Sequence, residues 1–239
     1  MAQLDVSPVE AAKMMARWAE QGWLRRVRRG LYIAVPVDAM QPELWSEDPL
    51  ILASAVWDPC YVTGWTAGNH WSLTEQVFHT IVVRTTKRVR DPSQHLLEHK
   101  YLVGRVSSDR LEWGLRNVWV RDRRVAMADE ARVIIDVLDD PSIGGGIRHC
   151  ADMLATYVAE HGEGDLLRYG ELLGNGAVFK RLGYLCEHLG LARDSFLESC
   201  QRHLTAGYAL LDPSTADGAA TSPRWRIRAN VRLEGTTQS

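Results

Sequence analysis

From Asp129 to Leu204 glycines and one proline punctuate the chain at intervals that suit helices. Asp129 stands where a helix cap is wanted, ahead of the apolar run A-R-V-I-I-D-V-L, and Pro141 ends it. Helical spacing then predicts helices over Ile147–His161, Asp165–Leu173, Ala177–Leu189 and Asp194–Leu204. Ahead of this block the pattern changes. Val77–Val83, Lys100–Val106, Val118–Val120 and Val125–Met127 read as strands, with Arg121-Asp122-Arg123-Arg124 turning between the last two. Strands in one stretch and helices in the next give an α+β fold, a small mixed sheet followed by a helical C-terminal half. Pro49 starts a helix that Asp58-Pro59 ends, and Tyr61–Trp71 reads as a loop feeding a short helix. After a loop of small and polar residues from Leu211 to Pro223, Arg224–Val231 reads as a closing strand before a disordered tail.

The N-terminal region is built differently. Ser7-Pro8-Val9-Glu10 forms a capping box, and the helix it opens should run to about Gln21 and stop at Gly22. Val9, Ala12, Ala16 and Ala19 recur at helical spacing and are expected to face inward, leaving Lys13 and Arg17 outside. Gly22–Pro36, GWLRRVRRGLYIAVP, then predicts a β-hairpin with a basic tip. Trp23, Leu24 and Val27 form its first strand, Arg28-Arg29-Gly30 its turn, and Leu31, Tyr32, Ile33 and Val35 its return. A helix followed by a small basic hairpin is the way a winged helix meets DNA. The same residues would also suit a solvated amphipathic helix beside a hairpin whose charges keep a sheet edge soluble. The proline-bearing connector Val37–Glu47 divides a winged-helix unit, residues 1–36, from a larger domain, residues 37–239.

Overall charge does not advertise a nucleic-acid or membrane partner, because 28 basic residues meet 30 acidic ones. DNA contact must therefore come from a local patch. The four cysteines are scattered without ligand spacing and read as reduced thiols of a cytoplasmic protein. No apolar run of about 18 residues predicts a membrane span. The nine tryptophans are expected to fill a core.

Candidate chemistry is thin. Asp129, Glu130 and Asp136 are acidic neighbours on one helix, but the first caps it and the second complements its dipole. His95 and His99 lack an acidic third ligand at motif spacing, so no metal site is expected. Gly174–Lys180 only echoes a phosphate loop and suits a helix-to-helix turn better. Nucleophile signatures are absent, and in C-E-H at Cys186–His188 the side chains of a helix would diverge. These readings predict no catalytic residue, no cofactor and a nonenzymatic protein. The basic stretch Arg84, Lys87, Arg88 and Arg90 reads as a connector whose exposure offers a partner or nucleic-acid surface. Tyr61, Trp65, His70 and Trp71 could join it, although core filling suits the aromatics better.

Several stretches together resemble the AbiEi-type antitoxins of bacterial type IV toxin–antitoxin and abortive-infection (phage defence) systems. They are G-W-L-R-R-V-R-R-G-L-Y, Y-V-T-G-W-T-A-G-N-H-W, A-D-E-A-R-V-I-I-D-V-L, R-L-G-Y-L, L-L-D-P-S and P-R-W-R-I-R-A-N-V, in that order from Gly22 to Val231. The resemblance implies an N-terminal winged-helix unit that binds the operon's own promoter DNA, with Lys13, Arg17, Arg25, Arg26, Arg28 and Arg29 on its DNA-facing helix and wing. It also implies a C-terminal domain that counteracts a cognate nucleotidyltransferase toxin of the AbiEii type. The family places further helical residues ahead of the position of Leu4, so a shortened winged helix is expected. Two other roles fit the same residues, a stand-alone winged-helix regulator and an antitoxin that modifies its toxin enzymatically. No oligomeric state is implied.

Overall fold

The structure is a computed structural model, and it describes residues 6–37, 39, 41, 45–216 and 220–233. Helix α1 (Pro8–Glu20) has the expected capping box: the Glu10 N–H donates to Ser7 Oγ at 3.3 Å, and the Ser7 N–H donates to Glu10 Oε2 at 3.0 Å. Gly22, at φ +78°, turns the chain out of the helix. The inward face differs from expectation. Ala19 is half-buried as expected, but it is joined by Ala11, Met14 and Trp18, while Ala12 and Ala16 are exposed and Val9 is 65% exposed. Both sets satisfy helical spacing, and the bulkier one turns inward because it removes more apolar area from water.

Strands β1 (Leu24–Arg28) and β2 (Leu31–Ala34) form the antiparallel hairpin, with Arg29-Gly30 as its turn and a bulge between Arg26 and Arg28. Trp23 lies just outside β1, its carbonyl accepting from the Val35 N–H at 2.9 Å. Parts of the connector expected at residues 37–47, of the loop before Pro223 and of the tail lie outside the described residues.

Next come α2 (Pro49–Trp57), β3 (Cys60–Val62), α3 (Gly64–His70), β4 (Thr80–Thr85), β5 (Ser93–Leu96), β6 (His99–Arg105), β7 (Leu115–Val120) and β8 (Arg123–Ala128). The six strands β3 to β8 make one mixed sheet in the order β5-β6-β4-β3-β8-β7. The β4/β6 and β3/β8 pairs are parallel and the rest antiparallel. Two expectations are corrected here. Cys60–Val62 is a strand, not part of a loop, and the strand expected over Val77–Val83 begins at Thr80 and takes in Arg84. Val77 is exposed, and Phe78 leaves the strand line to stack on Trp65 at 4.6 Å.

Both faces of this sheet are covered, which suits the apolar run Ile81-Val82-Val83 in the middle of β4. Val83 faces a core with Val56, Trp57, Tyr101 and Val103, onto which Val27, Leu31 and Ile33 of the hairpin also pack. Val82, its neighbour, faces the larger core under the C-terminal helices. Those helices are α4 (Glu130–Asp139), α5 (Ile147–His161), α6 (Leu166–Leu173), α7 (Gly176–Leu189) and α8 (Asp194–Arg202), close to their expected limits. A second small sheet, β10 (Ala220–Ser222), β11 (Ile227–Ala229) and β9 (Ala209–Leu210), closes over α7. The fold is α+β. Among the described residues no helix is long and apolar enough to cross a membrane.

The larger core holds a polar network. Asp136, 4% exposed, accepts from Arg132 Nε at 2.8 Å, Thr63 Oγ1 at 2.8 Å and the Tyr61 hydroxyl at 3.1 Å. Arg132 lies 3.4 Å over the Trp113 ring and also donates to the Trp113 carbonyl. Burial alone would depress its pKa, but the Asp136 carboxylate holds the guanidinium above its ordinary value. Burial first, and then the same carboxylate, push the Tyr61 hydroxyl far up.

Candidate nucleic-acid interface

The six cations expected on the helix and wing divide into two groups. Lys13, Arg17, Arg26 and Arg29 are exposed, and among the described residues none has an ion-pair or hydrogen-bond partner. Arg25 and Arg28 hold the hairpin to the body. Arg25 donates to the Trp45 carbonyl at 2.7 Å and pairs with Glu98 at 2.5 Å, which holds the Glu98 carboxyl below its usual range. Arg28 donates from Nη2 to the Val56 carbonyl at 3.0 Å.

Val56 lies in the last turn of α2, where a backbone carbonyl has no partner inside the helix and carries the negative end of the dipole. Lys87 Nζ reaches the same carbonyl at 3.4 Å. The wing and the second basic stretch, some sixty residues apart, therefore meet over one helix end. Arg28, Lys87, Arg88 and Arg90 line a hollow of about 400 Å³ that no carboxylate side chain lines; Val56, Trp57, Val89 and Gln94 complete it. Lys87, Arg88 and Arg90 are exposed, and Arg88 and Arg90 have no partner among the described residues. Such a surface attracts polyanions, since phosphates that replace small counterions on clustered cations gain affinity from counterion release.

Arg84 does not belong to this connector. It lies within β4, 14% exposed at the side chain, and its Nη2 pairs with Asp140 Oδ2 at 2.9 Å. The expectation that it shares an exposed loop with Lys87 fails because strand pairing with β3 and β6 extends through Thr85.

Of the aromatics named with the connector, Tyr61 is buried. Trp65 and Trp71 donate their indole N–H groups to the Thr80 and Ala128 carbonyls at 2.6 and 2.7 Å, so these three fill the core. Trp23 and Trp119 depart from core filling, each 64% exposed. Arg124 lies 4.8 Å over the Trp119 ring, a cross-strand pair on the edge strand β7 that composition could not single out.

The acidic trio takes structural roles: Asp129 caps α4 through the Arg132 N–H at 2.9 Å, Glu130 pairs with Arg116 at 3.1 Å, and Asp136 is buried. Gly174 ends α6, Asn175 caps α7, and Lys180 is buried with its amine on the Gly207 carbonyl at 2.9 Å, which makes that stretch the helix-to-helix turn expected. His95 and His99 lie across the β5/β6 hairpin, His99 sharing a 3.1 Å hydrogen bond with Ser46 Oγ. Among the described residues no group of three His, Cys, Asp or Glu side chains is placed to hold a metal ion.

No family model matches the chain, and no curated protein matches its sequence. Among solved structures it is similar to the crystal structure of the RV2827C protein from Mycobacterium tuberculosis. The superposition has a TM-score of 0.57 at 14% identity, covering 93% of this chain and 80% of that one, which is a likeness of fold.

Proposed function

We propose that this chain is a cytoplasmic DNA-binding antitoxin that represses its own operon and counteracts a nucleotidyltransferase toxin. One observation carries the DNA-binding part: Arg28 of the hairpin and Lys87, Arg88 and Arg90 of a distant loop line a single hollow without a carboxylate. Arg29 at the hairpin turn, and Lys13 and Arg17 one helical turn apart on α1, are further exposed cations whose side chains have no partner among the described residues. The antitoxin part is supported by the six AbiEi-like stretches, whose order runs through the C-terminal half.

Fluorescence anisotropy with a promoter duplex, titrated at several salt concentrations, tests the first part. Lys87→Gln with Arg88→Gln, and separately Arg26→Gln with Arg29→Gln, should each weaken binding. Each pair should also flatten the plot of log affinity against log salt by about 1 to 2, at ~0.9 for each phosphate no longer neutralised. Unchanged affinity in both pairs removes the DNA reading. Co-expression with the toxin encoded in the neighbouring reading frame tests the second part, which fails if the wild-type chain does not restore growth.

A further inference from the structure

Where the parallel neighbours β4 and β6 end, a second hollow of about 380 Å³ is lined by Arg84, Arg90, Arg105 and Asp140. Ligands of open sheets characteristically sit beyond the carboxyl ends of parallel strands. By strand alternation Arg84 and Leu102 point away from Val83 and Val103, so this hollow opens on the α4 side of the sheet. The hollow beneath the wing lies on the α2 side, and the residue 86–92 loop separates the two, Arg90 lining both.

Three guanidinium groups face one carboxylate here, and that carboxylate is already engaged. Asp140 Oδ2 takes Arg84 Nη2, and Oδ1 accepts from the Ser142 N–H and hydroxyl at 3.2 and 2.5 Å. Arg84 Nη1 lies against Gly104, and a Cβ on that residue would stand 2.1 Å from it. Glycine thus leaves the space in which the guanidinium lies flat across the strand end, with Nη1 lacking an acceptor among the described residues. Arg105 is exposed and has no partner there either. Pro92, Leu102 and Ile143 supply apolar lining, and a further hollow of about 420 Å³, lined by Arg110, Asp136 and Asp139 as well, shares Arg84, Gly104, Arg105 and Asp140 with it. Planar guanidinium groups beside apolar lining, in a space of the size of small-molecule sites, suit a phosphate group carried on an organic body.

We infer that this hollow binds a small phosphate ester of nucleotide size. Arg84, Arg90 and Arg105 hold the phosphate, and Pro92, Leu102 and Ile143 face the organic part. The site does not rest on the DNA reading, although Arg90 lines both hollows.

Isothermal titration of the full chain with inorganic phosphate and with a nucleoside 5′-monophosphate tests it, alongside promoter-duplex anisotropy. The monophosphate should bind saturably and more tightly than phosphate, and Arg105→Gln should weaken it about tenfold or more, through loss of one charge-assisted hydrogen bond. Gly104→Ala pushes the Arg84 guanidinium out of its place beside Asp140, so it should weaken binding while the circular dichroism spectrum stays that of the wild type. Lys87→Gln with Arg88→Gln should weaken the duplex and spare the monophosphate. Absence of saturable binding by the wild-type chain overturns the inference, as does wild-type affinity in Arg105→Gln. Weakened binding of the duplex alone in Arg105→Gln also overturns it, by making the hollow part of the DNA surface.

Discussion

Arg132 is fully buried yet charged, and each of its contacts compensates for that cost. Asp136 supplies the counter-charge, the Tyr61 hydroxyl and Trp113 carbonyl accept, and the Trp113 ring covers the guanidinium face. Removing the arginine alone strands a carboxylate that is left with two hydroxyl donors, Tyr61 and Thr63. Arg132→Ala should therefore lose about 3–5 kcal/mol in urea unfolding. A loss below about 1 kcal/mol would show that water or a rearranged donor replaces it. Nothing in the spacing of A-D-E-A-R-V-I-I-D-V-L distinguishes this pair from an exposed i, i+4 pair, because the residues that bury it come from β3 and from Trp113. Arg25 and Arg28 behave alike on the surface. They look like Arg26 and Arg29 in the sequence, and only the docked hairpin shows which cations are already engaged.

The stretches that carry the family resemblance meet inside the molecule. Thr63 and Tyr61 bond Asp136 of α4. Arg181 of α7 donates to the carbonyls of Leu138 and Asp139 at the end of α4 and of Leu210 and Leu211 at and beyond the end of β9. Gly183 gives room to Trp225, whose ring a Cβ there would overlap at 2.0 Å. Asp212 ties the last of these stretches to the start of α5. Its carboxylate accepts from the Ile147 N–H at 2.9 Å and from the Ser214 hydroxyl and N–H, while Asn230 bonds its backbone on both sides. Burial pushes the Asp212 carboxyl up, and the bonds from Ser214 and Ile147 outweigh it, leaving the group below the ordinary carboxylate range. A carboxyl depressed in the folded state stabilises it fully above the unfolded pKa, and loses that contribution as pH falls through the folded one. The stability difference between wild type and Asp212→Asn should thus be full at neutral pH and shrink on acidification below about pH 4. A difference that stays constant from pH 7 to pH 3 would assign the effect to shape and not to charge. Helices were readable because caps, glycines and apolar spacing are local signals, as with Ser7 ahead of α1 and Asp129 ahead of α4. Strands β3 and β9, at two or three residues each, were not, since they exist only through partners further along the chain, β4 and β8 for the first and β11 for the second.

The candidate interface belongs to the assembled protein more than to any one stretch. Its cations were visible in the sequence as two basic stretches. That Arg28 and Lys87 share one carbonyl was not, because it depends on α2 presenting its C-terminal end between the hairpin and the loop after β4. What keeps them together is the docking of the hairpin, which rests on Val27, Leu31 and Ile33 in the smaller core and on Arg25 at the rim. Glu98 is half exposed, so its ion pair with Arg25 is screened and contributes about 1 kcal/mol or less. Global unfolding should hardly register its loss. Local opening should, because a hairpin with a small apolar footing lies at the low-stability end of the molecule. Arg25→Ala should speed hydrogen exchange of the β1 and β2 amides about fivefold, for ~1 kcal/mol of local stability, while amides of α4 and β4 exchange as before. The same variant should weaken promoter binding although Arg25 is turned to Glu98, because a loosened hairpin no longer holds Arg28 and Arg29 beside Lys87 and Arg88. Weakened binding with unchanged exchange would instead make Arg25 a direct contact, and unchanged exchange with unchanged binding would place the docking entirely in the apolar footing.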